Sequence, residues 1–250
     1  MWDTYLITPM TNMLLFIYDY IGHNFGIAII LFTILIRAIT WPLTGQQLKG
    51  TQKMQELQND KDWQAIQKKY KGDKEKLASE QMRVYKERGI NPFGSCLPTV
   101  IQFPIIIGLY RAIITALAAT PLSLLELSRN LYPFLDVAVI IPLNSHFLWF
   151  DLGRPESIAI MGFAFPTLAV VVVITSYIQS KLMTPPPTSG DQSAAMGNMM
   201  AIYMPFLMGY FAMTFASGLA LYFIVSNLLG IAQYAMMGRA NWSNLIPGKK

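Results

Sequence analysis

An arginine inside a long apolar run most constrains what this chain can fold into. Residues 26–43 read GIAIILFTILIRAITWPL, and Arg37 is their one charge. A guanidinium at the middle of a bilayer costs about 2.5–3.5 kcal/mol, so its presence there needs a reason. On a helix Arg37 shares a face with Gly26, Thr33, Thr40 and Thr44, while the other faces are Ile, Leu, Phe and Ala. One polar stripe on an apolar helix must meet protein or water. Two readings stay open for this helix alone. Arg37 lies six residues before Leu43, about 9 Å at 1.5 Å per residue, so its head can snorkel to an interface. Alternatively it faces a polar interior site.

Composition favours a membrane protein. The chain has 250 residues, 53% apolar and only 13% charged, against about 25% charged in soluble domains. Eleven of the nineteen basic residues lie between Lys49 and Arg88, interleaved with seven acids. That is a mixed-charge segment on one side of a membrane, and it argues against direct nucleic-acid binding. A single cysteine, Cys96, excludes an intrachain disulfide and a multi-Cys metal site. His23 and His146 fall in boundary positions, and no HExxH motif or paired intramembrane Asp occurs. No cofactor, metal site or catalytic residue is expected, and the chain does not read as an enzyme. Neither a basic n-region nor a small-residue cleavage signal opens the sequence.

The expected fold is all-α: a polytopic membrane protein with five transmembrane helices and a cytoplasmic helical hairpin. Residues 1–21, interrupted by Pro9, read as an extracytoplasmic interfacial segment. A first span covers 22–44, its end marked by Pro42 and Gly45. The polar insert 45–96 carries thin apolar stripes, Met54, Leu57, Trp63, Ile66 and Tyr70 on one helix and Leu77, Val84 and Tyr85 on the next, broken at Gly72. Such a hairpin has little core of its own. A second span follows at 97–118, with Pro98 and Pro104 inside it and Arg111 towards its far end, where snorkelling is the default. Then come an extracytoplasmic loop at 119–157, a third span at 158–182 and a cytoplasmic loop at 183–197. A fourth span at 198–215 and a fifth at 218–237 form a tight hairpin, and a short cytoplasmic tail occupies 238–250.

Charge orients this layout. Lys49 to Arg88, Lys181, Arg239 and the terminal lysines fall on one side. The positive-inside rule then puts the N-terminus out and the C-terminus in. Polar groups gather on particular spans: Arg37 with its threonines, Gln102, Thr175 with Gln179, and Ser226, Asn227 and Gln233. No carboxylate lies within a span to neutralise Arg37, so the residue is hydrated or awaits an anionic guest. Taken singly, Ser226 and Asn227 read as helix-to-helix hydrogen bonders, the ordinary use of such residues. Methionines from Met196 to Met236 suit surfaces that repack around varied apolar partners, though most read as core or lipid-facing.

The stretches ILIRAITWPL, KYKGDKEKL, VYKERGINPFGSCLPTVIQFPIIIGLYRAI and ASGLALYFIVSNLLGIAQ resemble, in order and spacing, the YidC/Oxa/Alb membrane-protein insertases. The resemblance implies a groove open to cytoplasm and lipid but closed outside, in the bacterial cytoplasmic membrane. Its groove arginine maps to Arg37 and its second-span glutamine to Gln102, and Thr33, Thr40, Gln179 and Ser226 join them as the expected substrate-binding residues. The hairpin, with Trp63, Ile66, Tyr70, Leu77 and Tyr85, is implied to assist substrate capture. Implied partners are newly made membrane proteins and membrane lipids, with the ribosome and the Sec translocon as further candidates, and the monomer as the working unit. The sequence departs from larger members in having no large extracytoplasmic domain, and its tail is too short for an extended ribosome-binding arm. It reads as the minimal five-span form. A small-solute or ion transporter with a polar midplane site is the alternative, but no internal repeat with matching broken helices supports it.

Overall fold

Backbone groups in an apolar medium must be satisfied within their own segment, and the long apolar runs of this chain are helical in its computed structural model. The structure describes residues 3–58, 60–70, 72–90, 97–117, 120–136, 140, 143–160, 163–183 and 192–238. The NPFGSC stretch at 91–96, most of the proline-rich linker and the tail from 239 lie outside the described residues. After a π-helical turn at Asp3–Ile7 come α1 (Thr8–Tyr20), α2 (Phe25–Gln58), α3 (Lys61–Lys69), α4 (Lys74–Glu87), α5 (Leu97–Ala116) and α6 (Pro121–Asn130). Two small hairpins follow, β1 (His146–Phe147) with β2 (Phe150–Asp151) and β3 (Ile158–Ile160) with β4 (Phe163–Phe165). Then come α7 (Thr167–Met183), α8 (Gln192–Thr214) and α9 (Ser217–Met236).

Among the described residues two helices are long and apolar enough to cross a membrane, Phe25–Gly45 within α2 and Ser217–Met236. A third candidate is the pair Gln102–Ala116 and Pro121–Asn130, bent by 115°. The apolar parts of α7 and α8 are shorter. Large side chains such as Ile39, Phe103, Ile174, Phe206 and Leu228 are exposed on the outer faces of these helices. An apolar exterior of this kind suits lipid and would drive association in water.

Several boundaries differ from those read in the sequence. Pro42 and Gly45 do not end the first helix, which spans 34 residues from Phe25 to Gln58. An interior proline removes one hydrogen bond and bends a helix, and here the helix continues beyond it into the polar insert. The break comes at Asp60, which leaves the helix and caps α3 by accepting from the N–H groups of Asp62 and Trp63. The expected third span does not begin at 158. Residues Ile158 and Phe165 pair across an antiparallel hairpin, and α7 starts after Pro166, its N-terminus capped by the Glu156 carboxylate, which accepts from the Thr167 hydroxyl and the Leu168 N–H. Nor is 119–157 only a loop. Thr120 and Ser123 form a capping box that starts α6.

The N-terminal helix does more than lie at an interface. Met10, Leu14, Leu15 and Tyr18 are buried in the main core with Ile29 and Phe32 of α2 and Leu109 and Ile113 of α5. Close approaches run down the bundle. Gly218 of α9 sits against Ile29 and Ile113, and Gly45 meets Met237 at the other end, so α2 and α9 lie parallel. The segment around β1 and β2 closes one end of this pair. Phe25 N–H donates to Asn144 O, Ser217 N–H to Arg154 O and Gly218 N–H to Leu152 O. Those bonds satisfy helix-start donors that otherwise lack partners. Phe150 and Leu152 are buried beneath them.

The hairpin has a core after all. Leu57, Trp63, Val84 and Ile90 are buried together, with Ile66, Leu77 and Tyr85 packed against them. Asp60 also pairs with Arg88 at 2.5 Å, tying the start of α3 to the end of α4. That hydrogen bond, followed by the backbone N–H bonds of the cap, holds the Asp60 carboxyl below its usual range. A depressed carboxyl stabilises the fold above its unfolded pKa and loses that contribution as pH falls through the folded value. Amide-exchange protection of residues 60–90 is therefore expected to be flat from neutral pH down to about pH 4, the unfolded value, and to fall below it. Asp60→Asn should lower protection severalfold at neutral pH and reduce the acid-dependent loss, leaving the part due to Asp73, which its bonds to Lys76 also hold below the usual range.

Candidate polar site among the apolar helices

Three helices, α5, α7 and α9, bring polar side chains around Arg37 of α2. Its Nε and Nη2 donate to Ser226 Oγ on α9 at 3.0 and 2.6 Å. One turn earlier on α9, the buried Tyr222 hydroxyl accepts from Gln102 Nε2 of α5 at 2.5 Å and also bonds Ser226. One turn later is Gly230, whose missing side chain leaves room for the Gln179 amide of α7; a Cβ there would also lie 3.7 Å from Arg37 Nη2. Positions 222, 226 and 230 recur every four residues and so share a face of α9. Arg37 is half-buried, and among the described residues no carboxylate pairs with it.

Of the residues singled out in the sequence, Arg37, Ser226, Gln102 and Gln179 converge. Thr33 does not join them. It is fully buried, and its hydroxyl is bonded to Ile29 O in its own helix at 2.6 Å. Thr40 likewise bonds Ile36 O at 2.9 Å and stays half-buried below Arg37. Asn227 bridges helices, donating to Thr175 Oγ1 and Ser176 Oγ on α7, the use expected of it. Gln233 is buried and donates to Trp41 O at 3.5 Å. In the hairpin, Trp63, Ile66, Leu77 and Tyr85 belong to its core, Tyr70 is half-buried beside Lys69, and Met82 is a large apolar side chain left exposed. The sequence reading missed Tyr222 and Gly230. Their four-residue spacing from Ser226 was the available signal, masked because both lie in an otherwise apolar run.

Chemically the cluster offers a cation held by a neutral hydroxyl, ringed by amide and phenol groups. Such a site binds anions or polar chain termini. It holds no nucleophile–base pair, and among the described residues no group of His, Cys, Asp and Glu is placed to hold a metal.

The family model described as "60Kd inner membrane protein" matches residues 16–243. The chain belongs to this family. Among curated relatives, the membrane protein insertase YidC of Syntrophobacter fumaroxidans is 35% identical over 95% of this chain, which covers 38% of that protein. The membrane protein insertase MisCA of Bacillus subtilis is 33% identical over 93% of this chain and 77% of its own length. A crystal structure of an active YidC insertase with its first transmembrane domain resolved aligns with a TM-score of 0.58 and 26% identity, over 94% of this chain and 46% of that one. The chain thus spans little more than a third of some relatives and over three quarters of others. In this family member the polar cluster is drawn from α2, α5, α7 and α9.

The hydrogen bonds of this cluster are expected to be energetically coupled. A double-mutant cycle pairing Arg37→Met with Ser226→Ala, read as thermal stability in detergent, should give a coupling of about 1 kcal/mol. The same cycle between Arg37→Met and Asn227→Ala should give a value near zero.

Proposed function

We propose that the chain is a membrane-protein insertase that moves hydrophobic segments with short polar tails from the cytoplasm into the bilayer, with Arg37 as the receptor for the tail. The observation that carries this reading is the state of Arg37: a cation on a membrane-length helix, bonded to a hydroxyl and lacking a carboxylate among the described residues. Relatives named as membrane protein insertases support it.

The topology we infer has five spans, built on α2, α5, α7, α8 and α9, with the N-terminus outside, the C-terminus inside and the hairpin cytoplasmic, as the positive-inside rule requires. The sealed end formed by Asn144, Leu152 and Arg154 then faces outward. Between that end and Arg37, Phe25, Ile29, Phe32 and Thr33 are fully buried, which supports a groove that stops at Thr33. The groove is entered from the cytoplasm and from lipid between α7 and α9. Arg37, Gln102, Gln179 and Ser226 line it, Thr40 lies towards its mouth, and Tyr222 and Gly230 join the site.

In this mechanism an acidic group on the incoming tail takes the place of Ser226. A carboxylate offers the guanidinium an opposite charge and a second acceptor oxygen where serine offers one neutral oxygen, and that difference favours the exchange. The apolar segment then leaves sideways into lipid. Burial of that segment drives the step, aided by the membrane potential at about 2.3 kcal/mol per charge per 100 mV. No nucleotide or metal takes part. The hairpin assists capture through its exposed face, including Met82, because Trp63, Ile66, Leu77 and Tyr85 are engaged in its core. Newly made membrane proteins and lipids are the partners, a monomer is the working unit, and contacts with ribosome and Sec translocon run through the cytoplasmic face.

The test is insertion of a single-span substrate with an acidic N-tail. Arg37→Glu is expected to lower insertion at least tenfold and Arg37→Lys to retain most of it. Full activity of Arg37→Glu would overturn the electrostatic role.

A further inference from the structure

A second polar site lies far from Arg37. A cavity of about 170 Å³ occupies the corner where the first residues, α1, α5 and α6 meet, at the end of α5 remote from the hairpin. Its charged side chains are Arg111, Asp3 and Glu126, with Thr8 and Thr115 beside them. None of the three charged groups forms an ion pair with a described residue. The wall behind them is rigid. Asn12 is buried, donates to Thr8 O and Asn130 O and accepts from Tyr132 N–H, so it fastens α1 to the end of α6.

The surroundings of Arg111 identify the kind of guest. Phe103, Ile107 and Ile114 are exposed at four- and three-residue spacings from it, so Arg111 heads an apolar stripe on the outer face of α5. Beyond the corner, α6 turns by 115° from α5 and exposes Leu122 and Leu125 beside Glu126. A helix that turns across the end of an apolar one, with leucines and a carboxylate on its outer face, suits the headgroup layer. The cavity therefore joins a cation and two anions to a surface suited to acyl chains.

We propose that this corner binds the headgroup of an ethanolamine-type zwitterionic phospholipid. Arg111 takes the phosphate through its planar fork, Glu126 and Asp3 accept hydrogen bonds from the primary ammonium, and the acyl chains run down Ile107 and Phe103. A choline headgroup carries no N–H to donate, and a glycerol headgroup carries no cation to place between the carboxylates. The proposal rests on the membrane placement of α5 put forward above.

The experiment is native mass spectrometry of the detergent-extracted chain titrated with phosphatidylethanolamine, phosphatidylcholine and phosphatidylglycerol of matched acyl chains, and with glycerophosphoethanolamine. The charge-assisted bonds that only a primary ammonium can donate to the carboxylates should make retention of the ethanolamine lipid exceed that of the other two by roughly tenfold. Glu126→Gln combined with Asp3→Asn should erase that preference. Arg111→Gln should weaken all three lipids, and Arg111→Lys should restore most binding, which separates loss of the cation from loss of the fold. Unchanged preference in the carboxylate variant, or equal retention by wild type and Arg111→Gln, would overturn the site. Equal binding of glycerophosphoethanolamine would overturn the lipid as its occupant. A chain that stays folded in water without detergent would overturn the membrane placement instead, a result distinguishable from the loss of headgroup preference alone.

Discussion

The bond from Arg37 to Ser226 joins the first apolar helix to the last across 189 positions of sequence, and much of the site geometry depends on it. Burying a guanidinium is costly unless its donors are met. Meeting them with Ser226 requires α2 and α9 to lie parallel at fixed height. That register is set again above by Gly218 against Ile29 and below by Gly45 against Met237. With α9 fixed, its next turns carry Tyr222 to Gln102 of α5 and Gly230 to Gln179 of α7. One charge thus lies among side chains from four helices, spread over two turns of α9.

The two ends of this arrangement are built differently. At one end the N–H groups that start α2 and α9 are capped by carbonyls of the segment holding Asn144, Leu152 and Arg154, and aromatic side chains fill the space beneath. At the other end α2 continues past the apolar core into charged sequence and carries the hairpin with it. A dry, hydrogen-bonded end and a charged, extended end produce an asymmetric molecule. The proposed one-sided groove follows from that asymmetry together with the half-buried state of Arg37.

Much of this was legible in the residues. The apolar runs, the charged insert and the lack of a carboxylate to match Arg37 all follow from composition and spacing, because a bilayer tolerates few alternatives. Asn227 meets Thr175 and Ser176 as its type suggests. Boundaries were less legible. Pro42 looked like a stop, but proline breaks a helix only when nothing else holds it, and α2 continues through. Pro166 did mark a start, yet the β-branched and aromatic residues before it look equally apolar in a strand or in a span, so the hairpin at 158–165 was hidden. The core of the polar hairpin was hidden for another reason. Leu57 reads as part of one continuous stripe with Trp63, and Ile90 lies outside both stripes; only the turn at Asp60 and the closure by Arg88 fold them together with Val84.

The choice of a hydroxyl as partner for Arg37 carries the functional argument furthest. Had the partner been a carboxylate, separating the two would leave an uncompensated buried charge, a loss of about 3–5 kcal/mol. An incoming acidic group would then gain nothing by exchange and would meet repulsion. Serine satisfies the guanidinium only with a neutral acceptor, so in the proposed mechanism an arriving anion displaces it and the serine recovers its place when the anion leaves. Tyr222 and Gln102 keep the hydroxyl oriented without adding charge. A resident partner that is adequate, neutral and exchangeable is what a site needs if its guests are to be many and their stay brief.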